Sequence, residues 1–303
     1  MVEVTNPTKV IFPEAGLTKA DLVGHYRQVA ERMVPQVAGR PLTLQRFPNG
    51  VGESGFMQKN ASEYFPEFIE RITVRKSEGT VTHPVVRDPE GLAYLANQAT
   101  VTFHVWTSTV DDLMRPNRVI FDLDPPEGDV DAARFAARAV GEQLDVLGLA
   151  AFPMTTGSKG YHVVAPLLPQ VEIWKVDEFS QGFAALLAAR HPNRLTLEFR
   201  KRERRGRVFL DWLRNRYSAT SVAPWSLRPR PDAPVSVPIS WDELDEMAPD
   251  HWKLPGVFKR LAQPDPWQGL EEAAVDLRPA AEAVAELVAE AGITLETFDR
   301  FRS

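Results

Sequence analysis

The chain has no cysteine in its 303 residues. Disulfides and thiolate metal sites are therefore excluded, and the composition suits a reducing compartment. It has no apolar run of about 18 residues, so no membrane span is expected. Met1 is followed by polar Glu3, Thr5 and Asn6 rather than an apolar leader, which points to the cytoplasm. There is no Gly-x₄-Gly-Lys-Ser/Thr, so any phosphate site is not a P-loop. There is also no internal repeat and no low-complexity linker. Net positive charge is missing too. Lys and Arg total 35 against 41 Asp and Glu, and the net charge of −6, taken whole, argues against nucleic acid as a partner.

What is present is globular: 44% hydrophobic and 25% charged residues, in a length that allows one large domain or two lobes. The charge is unevenly spread. Residues 200–230 carry Arg200, Lys201, Arg202, Arg204, Arg205, Arg207, Arg214, Arg216, Arg228 and Arg230 against only Glu203 and Asp211. Such a stripe on an acidic body can bind phosphates locally. Residues 200–207 alone also read as a solvated hairpin tip. The arginines beyond Asp211 are interleaved with Trp212, Tyr217 and Trp225, which a solvated tip does not need.

The central stretch is Val119-Ile120-Phe121-Asp122-Leu123-Asp124-Pro125-Pro126. Val, Ile and Phe favour a strand, and Pro125 cannot continue a central one. Alternation puts Val119, Phe121 and Leu123 on one face and Asp122 and Asp124 on the other. Paired carboxylates at the end of an apolar strand repel unless a cation lies between them, and oxygen donors suit Mg²⁺ or Mn²⁺. A solvated turn is the bland alternative. A haloacid-dehalogenase-type phosphatase is a rival, but its motif continues with Gly-Thr and needs no late aspartate.

Around this strand the chain reads as α+β. Thr18 and Asp21 form a capping-box pair for a helix carrying Leu22, Val23, Tyr26, Val29, Ala30 and Met33, with Pro35 expected to end it. Strands are expected at 42–47, 69–74, 81–86, 100–106, 152–156, 161–165 and 207–211, and helices at 90–97, 129–147, 175–190 and 279–290. Phe56 and Met57 read as an exposed loop. Gly157-Ser158-Lys159-Gly160 joins two strands in a tight turn whose amides can cradle a phosphate. Asp211 is a third strand-end carboxylate. Ala223 to Pro231 presents Arg228 and Arg230 on a proline-stiffened segment. Residues 231–303 hold fifteen acidic against six basic residues and read as packing helices. Paired metal-binding acids, a phosphate turn and rigid arginines are the parts of phosphoryl or nucleotidyl transfer.

Together, Asp122-Leu123-Asp124-Pro125, Thr156-Gly157-Ser158-Lys159-Gly160-Tyr161-His162, Asp211-Trp212-Leu213-Arg214-Asn215 and Ala223-Pro224-Trp225-Ser226-Leu227-Arg228-Pro229-Arg230 resemble the polymerase domain of bacterial DNA ligase D. That is the end-joining branch of the archaeo-eukaryotic primase superfamily, and the resemblance covers about residues 6–244. It implies an α+β primase-polymerase core, two β-sheets flanked by helices with an active cleft between them. Residues 1–303 would form one bilobal domain, with catalytic motifs in 104–230 and an acidic helical part in 240–303.

The resemblance also implies roles. Asp122, Asp124 and Asp211 look like the ligands of two Mn²⁺ or Mg²⁺ ions. His104, Thr156, Ser158, Lys159, His162, Arg214 and Arg228 look like nucleotide contacts. Lys9 and Lys19 look like ligands of a 5′-phosphate, Phe56 like a base-stacking aromatic, and Arg230 like a further DNA contact. The implied substrates are nucleoside triphosphates, with ribonucleotides preferred, and DNA with gaps, overhangs or breaks. The implied partners are Ku and an ATP-dependent DNA ligase, and the implied location is the bacterial nucleoid. Thr156 stands where many relatives have Ser, and Met57 where a second aromatic is common. The chain has no Lys-x-Asp-Gly ligase signature. A primase or excision-repair polymerase, and a non-catalytic end-bridging module, are the alternatives.

Overall fold

The computed structural model describes residues 2–75 and 79–296. In chain order its strands and helices are β1 (Val10–Phe12), β2 (Leu17–Thr18), α1 (Lys19–Gln28), α2 (Ala30–Val37), β3 (Leu42–Arg46), β4 (Phe56–Gln58), β5 (Glu70–Arg75), β6 (Thr80–Val85), α3 (Pro89–Asn97) and β7 (Thr100–Val105). They continue with β8 (Arg118–Asp124), α4 (Val130–Val146), β9 (Phe152–Thr155), β10 (Tyr161–Pro166), α5 (Ile173–Arg190), β11 (Leu195–Thr196) and β12 (Val208–Asp211). The last are β13 (Ser221–Val222), β14 (Val237–Pro238), α6 (Phe258–Leu261) and α7 (Arg278–Glu290).

Two sheets dominate. Six strands lie in the order β11-β12-β8-β10-β9-β14, and four in the order β13-β7-β3-β4. The alternation of β8 explains the layering. Val119, Phe121 and Leu123 are fully buried in one core with Ala136 and Val140 of α4 and Phe179 and Phe183 of α5. Residues from α1, α2 and α3 form the second main core with Leu42, Leu44, Val101, Phe103 and Val105 of the four-stranded sheet. Between the sheets, Ile120, Met154 and Val164 meet Val222, Trp267 and Leu270. Ile120 shares its face of β8 with Asp122 and Asp124, so one end of that face is an apolar seal and the other is polar.

Three expectations need correction. The first helix does not run to Pro35. It stops at Gln28, and α2 restarts with Pro35 inside it. Pro35 forfeits only one amide donor in the second half of a short helix, and Ala38 N still closes it onto Val34 O at 2.8 Å. Phe56 and Met57 are not loop residues but form the edge strand β4, where Phe56 pairs with Arg46. The segment after residue 231 is mostly turns, and among the described residues only α7 is a long helix there. Prolines 231, 234, 238, 249, 255, 264 and 266 remove the amide donors that continuous helices need. The part of the expected acidic helical segment beyond residue 296 lies outside the described residues.

Candidate active site

The ladder register assembles the carboxylates. In the antiparallel β12–β8 pair, Asp211 stands opposite Asp122, and Phe209 opposite Asp124. On the other side of β8, β10 sets His162 opposite Asp122. His162, Asp122 and Asp211 therefore form one row across three adjacent strands, with Asp124 one step along the same face. Asp211 also starts a short turn by accepting Leu213 N–H at 3.1 Å. That turn is locked to β8 because Asn215 exchanges two 2.8 Å bonds with the Ile120 backbone. It delivers Arg214, whose guanidinium meets Asp122 at 3.1 Å and Asp211 at 3.0 Å. His162 Nε2 lies 3.4 Å from the other Asp122 oxygen.

Crowding shapes the charge of this row. Burial pushes Asp122 up, but His162 and Arg214 outweigh it and hold the carboxyl well below its ordinary value. Asp124 is raised by burial and by the charge of Asp122. Asp211 is pushed up to about 6, by burial first, with Asp122 and Asp124 adding to it against Arg214. Arg204 approaches Asp124 at 3.6 Å.

Beside the aspartate strand, in the same sheet, lies the Gly157–Gly160 turn between β9 and β10. Gly157 takes a left-handed φ of +65°, and a Cβ there would lie 2.8 Å from Arg228 Cγ. A Cβ on Gly160 would fall 1.8 Å from the Leu123 carbonyl oxygen, so this turn presses directly on the aspartate strand. Thr156 donates its hydroxyl to Gly160 O at 2.8 Å, which shapes the turn. Lys159 pairs with Glu127 at 3.2 Å, and Arg230 donates to Ser158 Oγ at 3.2 Å. The cleft is lined by His104, Asp122, Asp124, Thr156, Ser158, Lys159, His162, Arg214 and Arg228. Both sheets contribute, since His104 comes from β7 and its neighbour Val222 from β13. His104 Nε2, His162 Nδ1 and Arg228 Nε are buried without a protein partner. Burial, then Arg228 and Arg214, bring His104 down to about 3. Such a set of unsatisfied polar groups in one cleft suits a polar, anionic ligand.

Of the expected DNA contacts, Arg230 lies at this cleft on Ser158, whereas Lys9, Lys19 and Phe56 belong to a second cluster. Lys19 is only 8% exposed at the start of α1 and donates to Thr5 Oγ1 at 2.8 Å. Its amide bonds the Lys9 carbonyl at 2.7 Å, and Lys9 Nζ reaches Asn49 at 3.4 Å. Burial, Lys9 and Arg46 together lower the Lys19 pKa, the signature of cations gathered without a counter-ion. Arg46 was not anticipated from the sequence. It donates to Gln98 O and Gln58 Oε1 and lies 5.5 Å from the centre of the Phe56 ring. Phe56 is 48% exposed. Arg204 and Asn215 were also missed as site residues. Arg204 reaches Asp124 from a loop far away in sequence, and Asn215, although inside the Asp211–Asn215 motif, acts on the backbone of Ile120 in a distant strand.

Among the described residues, no three acidic or imidazole side chains converge as a ready metal cage. Arg214 and Arg204 face the carboxylate oxygens instead. The donor set nevertheless fits a hard divalent cation. Three carboxylates share one sheet face, and two of them have pKa values raised by burial and mutual repulsion, which a bound cation would relieve.

Residues 18–267 match the family model described as LigD, primase-polymerase domain. The multifunctional non-homologous end joining protein LigD of Mycolicibacterium smegmatis is 37% identical over 264 residues, which cover 86% of this chain and 34% of that protein. The multifunctional non-homologous end joining DNA repair protein LigD of Mycobacterium tuberculosis H37Rv is 38% identical over 272 residues, covering 86% of this chain and 36% of that protein. The chain thus spans about a third of the length of these relatives. Among solved structures, the polymerase domain of Mycobacterium tuberculosis ligase D in complex with DNA matches with a TM-score of 0.84 and 36% identity. That match covers 90% of this chain and 99% of the solved one.

Proposed function

The chain belongs to the LigD primase-polymerase domain family, and from that premise we propose that it is a template-directed nucleotidyltransferase. It extends primers and fills short gaps at DNA breaks, in non-homologous end joining or related gap repair. The observation that carries this reading is the Asp122–Asp211 ladder pair, with Asp122 and Asp124 lining one cleft together with the Ser158–Lys159 turn and Arg228. The whole chain acts as one bilobal domain.

Asp122, Asp124 and Asp211 would hold two divalent ions, Mg²⁺ or Mn²⁺. Bound there, such ions supply acidification of the attacking 3′-hydroxyl and neutralisation of the triphosphate. The protein's own residues do the positioning. Ser158, Lys159 and Arg228 grip the triphosphate, the Thr156–Gly160 bond fixes the turn, and Arg230, bonded to Ser158 Oγ, is a further DNA contact beside it. His104, kept neutral, and His162 shape the nucleotide end of the cleft. Arg214 orients Asp122 and Asp211 and is at hand for charge that develops as pyrophosphate leaves. Lys9 and Lys19 take the 5′-phosphate across the gap, and Phe56 stacks on a template base.

Ribonucleotides are the preferred substrates, Ku and an ATP-dependent ligase are the partners, and the nucleoid is the workplace. Among the described residues, no helix is long and apolar enough to cross a membrane. The test is incorporation of labelled nucleotides on gapped, overhanging and unprimed DNA, with Mg²⁺ and Mn²⁺ and with ribo- and deoxynucleotides. Extension confined to primed or gapped DNA supports the reading. Synthesis on unprimed template would make the protein a primase, and binding without incorporation would make it an end-bridging module.

A further inference from the structure

Apart from Arg204, the basic segment between β11 and β12 is left unused by the site described above. Its tip places Phe199 in solvent at 70% exposure, which is unusual for so large an apolar ring. Phe199 meets Phe209 edge-on, with ring centroids 6.3 Å apart. Arg204 holds the bend. It donates to Glu198 O at 3.1 Å and Phe199 O at 3.2 Å, and its guanidinium lies 4.3 Å from the centre of the Phe209 ring. The same guanidinium approaches Asp124 at 3.6 Å. Arg207 closes the loop onto Arg204 O at 2.9 Å. With Arg204 and Arg207 so committed, Arg200, Lys201 and Arg205 remain exposed around the free aromatic.

The position of this loop in the sheet gives it a direction. The Gly157–Gly160 turn lies on the β10 side of β8, and this loop lies on the β12 side. An in-line displacement at phosphorus places the attacking oxygen opposite the leaving group. If pyrophosphate leaves toward the Ser158–Lys159 turn, the attacking 3′-hydroxyl must enter from the β12 flank. Exposed cations that track a backbone, with one free aromatic on which a base can stack, are the parts of a single-strand contact.

We propose that Phe199, with Arg200, Lys201 and Arg205, is the primer-strand subsite. Phe199 stacks on a base near the primer 3′ end, and Arg204 ties the ring's position to Asp124. This rests on the polymerase reading above.

The test uses the full chain with Phe199→Ala and Phe199→Trp. Phe199→Ala should raise the KM for primer about tenfold through loss of one stacking contact, while the Kd for nucleoside triphosphate without DNA stays unchanged. Phe199→Trp should restore the primer KM. Comparing its fluorescence with that of the wild type should show quenching by recessed 3′-end DNA and not by the unprimed template strand. An unchanged primer KM in Phe199→Ala, or quenching by template alone, overturns the proposal. The two readings fail separately. A wild-type protein that extends primers alongside an indifferent Phe199→Ala variant removes only this subsite, whereas a wild type that extends nothing removes the polymerase reading itself.

Discussion

Asp211 stands directly opposite Asp122 across the β8–β12 ladder, and both carboxylates reach the same guanidinium, that of Arg214. Like charges facing each other across a ladder are destabilising unless a cation intervenes. Arg214 intervenes here and holds Asp122 ionised, but burial and the two neighbouring carboxylates still push Asp211 up to about 6, so at neutral pH the ionised Asp211 costs stability. Asp211→Asn should abolish primer extension, with a loss of at least about a thousandfold. In chelator it should leave thermal stability equal or higher, because one member of a repelling set is gone. Melting curves with and without Mn²⁺ check this: the wild type should gain Tm on adding Mn²⁺ and the variant should gain little. A variant that keeps its activity, or the wild type's Mn²⁺ shift, contradicts the assignment.

Gly160 tests the phosphate turn. A methyl group there would sit 1.8 Å from the Leu123 carbonyl oxygen, and backbone cannot step aside as a side chain can. Gly160→Ala should cost about 3 kcal/mol, near the upper end for overpacking, and should abolish triphosphate binding. Gly24 provides the contrast. Its Cβ position is open and it lies within α1, so Gly24→Ala should stabilise by about 0.5–1 kcal/mol. Urea melts of the two variants should move in opposite directions.

Much of the site was legible because its elements are local. The Val119–Asp124 alternation, the Gly157–Gly160 turn and the Thr18–Asp21 cap each declare themselves within a few residues. The three aspartates could be suspected individually, but the row that joins them exists only through strand register, which the sequence does not display. Arg46 and Arg204 escaped for the same reason. The first meets Phe56 across a strand pair, and the second reaches Asp124 from a separate loop. The expected helix end at Pro35 failed because the proline removes only one bond and the turn beyond it still closes through Ala38 N and Val34 O.

His25 sets an acid limit on stability. It is fully buried, its Nε2 donates to Trp225 O at 2.8 Å, and its Nδ1 has no protein partner. Its surroundings are aromatic, with Tyr26 edge-on and Phe258 alongside. Burial brings its pKa down to about 4, against the bonding to Trp225. Between about pH 6.5 and pH 4 the unfolded chain therefore binds more protons at this site than the folded one. The stability tied to neutral His25 is present above pH 6.5 and is lost as pH falls through 4, by roughly 3 kcal/mol. His25→Gln removes this titration. The stability difference between wild type and variant should shrink from pH 7.5 to pH 4.5, and a difference independent of pH would refute the account.

Lys9 and Lys19 carry a prediction about substrate choice. The Lys19 ammonium is partly buried, has a hydroxyl rather than a carboxylate as its bonded partner, and lies in the field of Lys9 and Arg46. A phosphate docking there would meet cations whose desolvation is already built into the fold, so binding energy is not spent on gathering them. Replacing both lysines by alanine should abolish the preference for gaps with a 5′-phosphate over gaps with a 5′-hydroxyl. It should also flatten the dependence of log K on log salt by roughly 1–2 units, because two phosphate contacts no longer release counter-ions. Extension of a simple primed template should change little, because Asp122 and Asp124 line the separate cleft, with Asp211 opposite Asp122. An unchanged phosphate preference in the double variant would show that the anion site lies elsewhere. A collapse of extension on every substrate would show that these lysines serve the cleft rather than the gap.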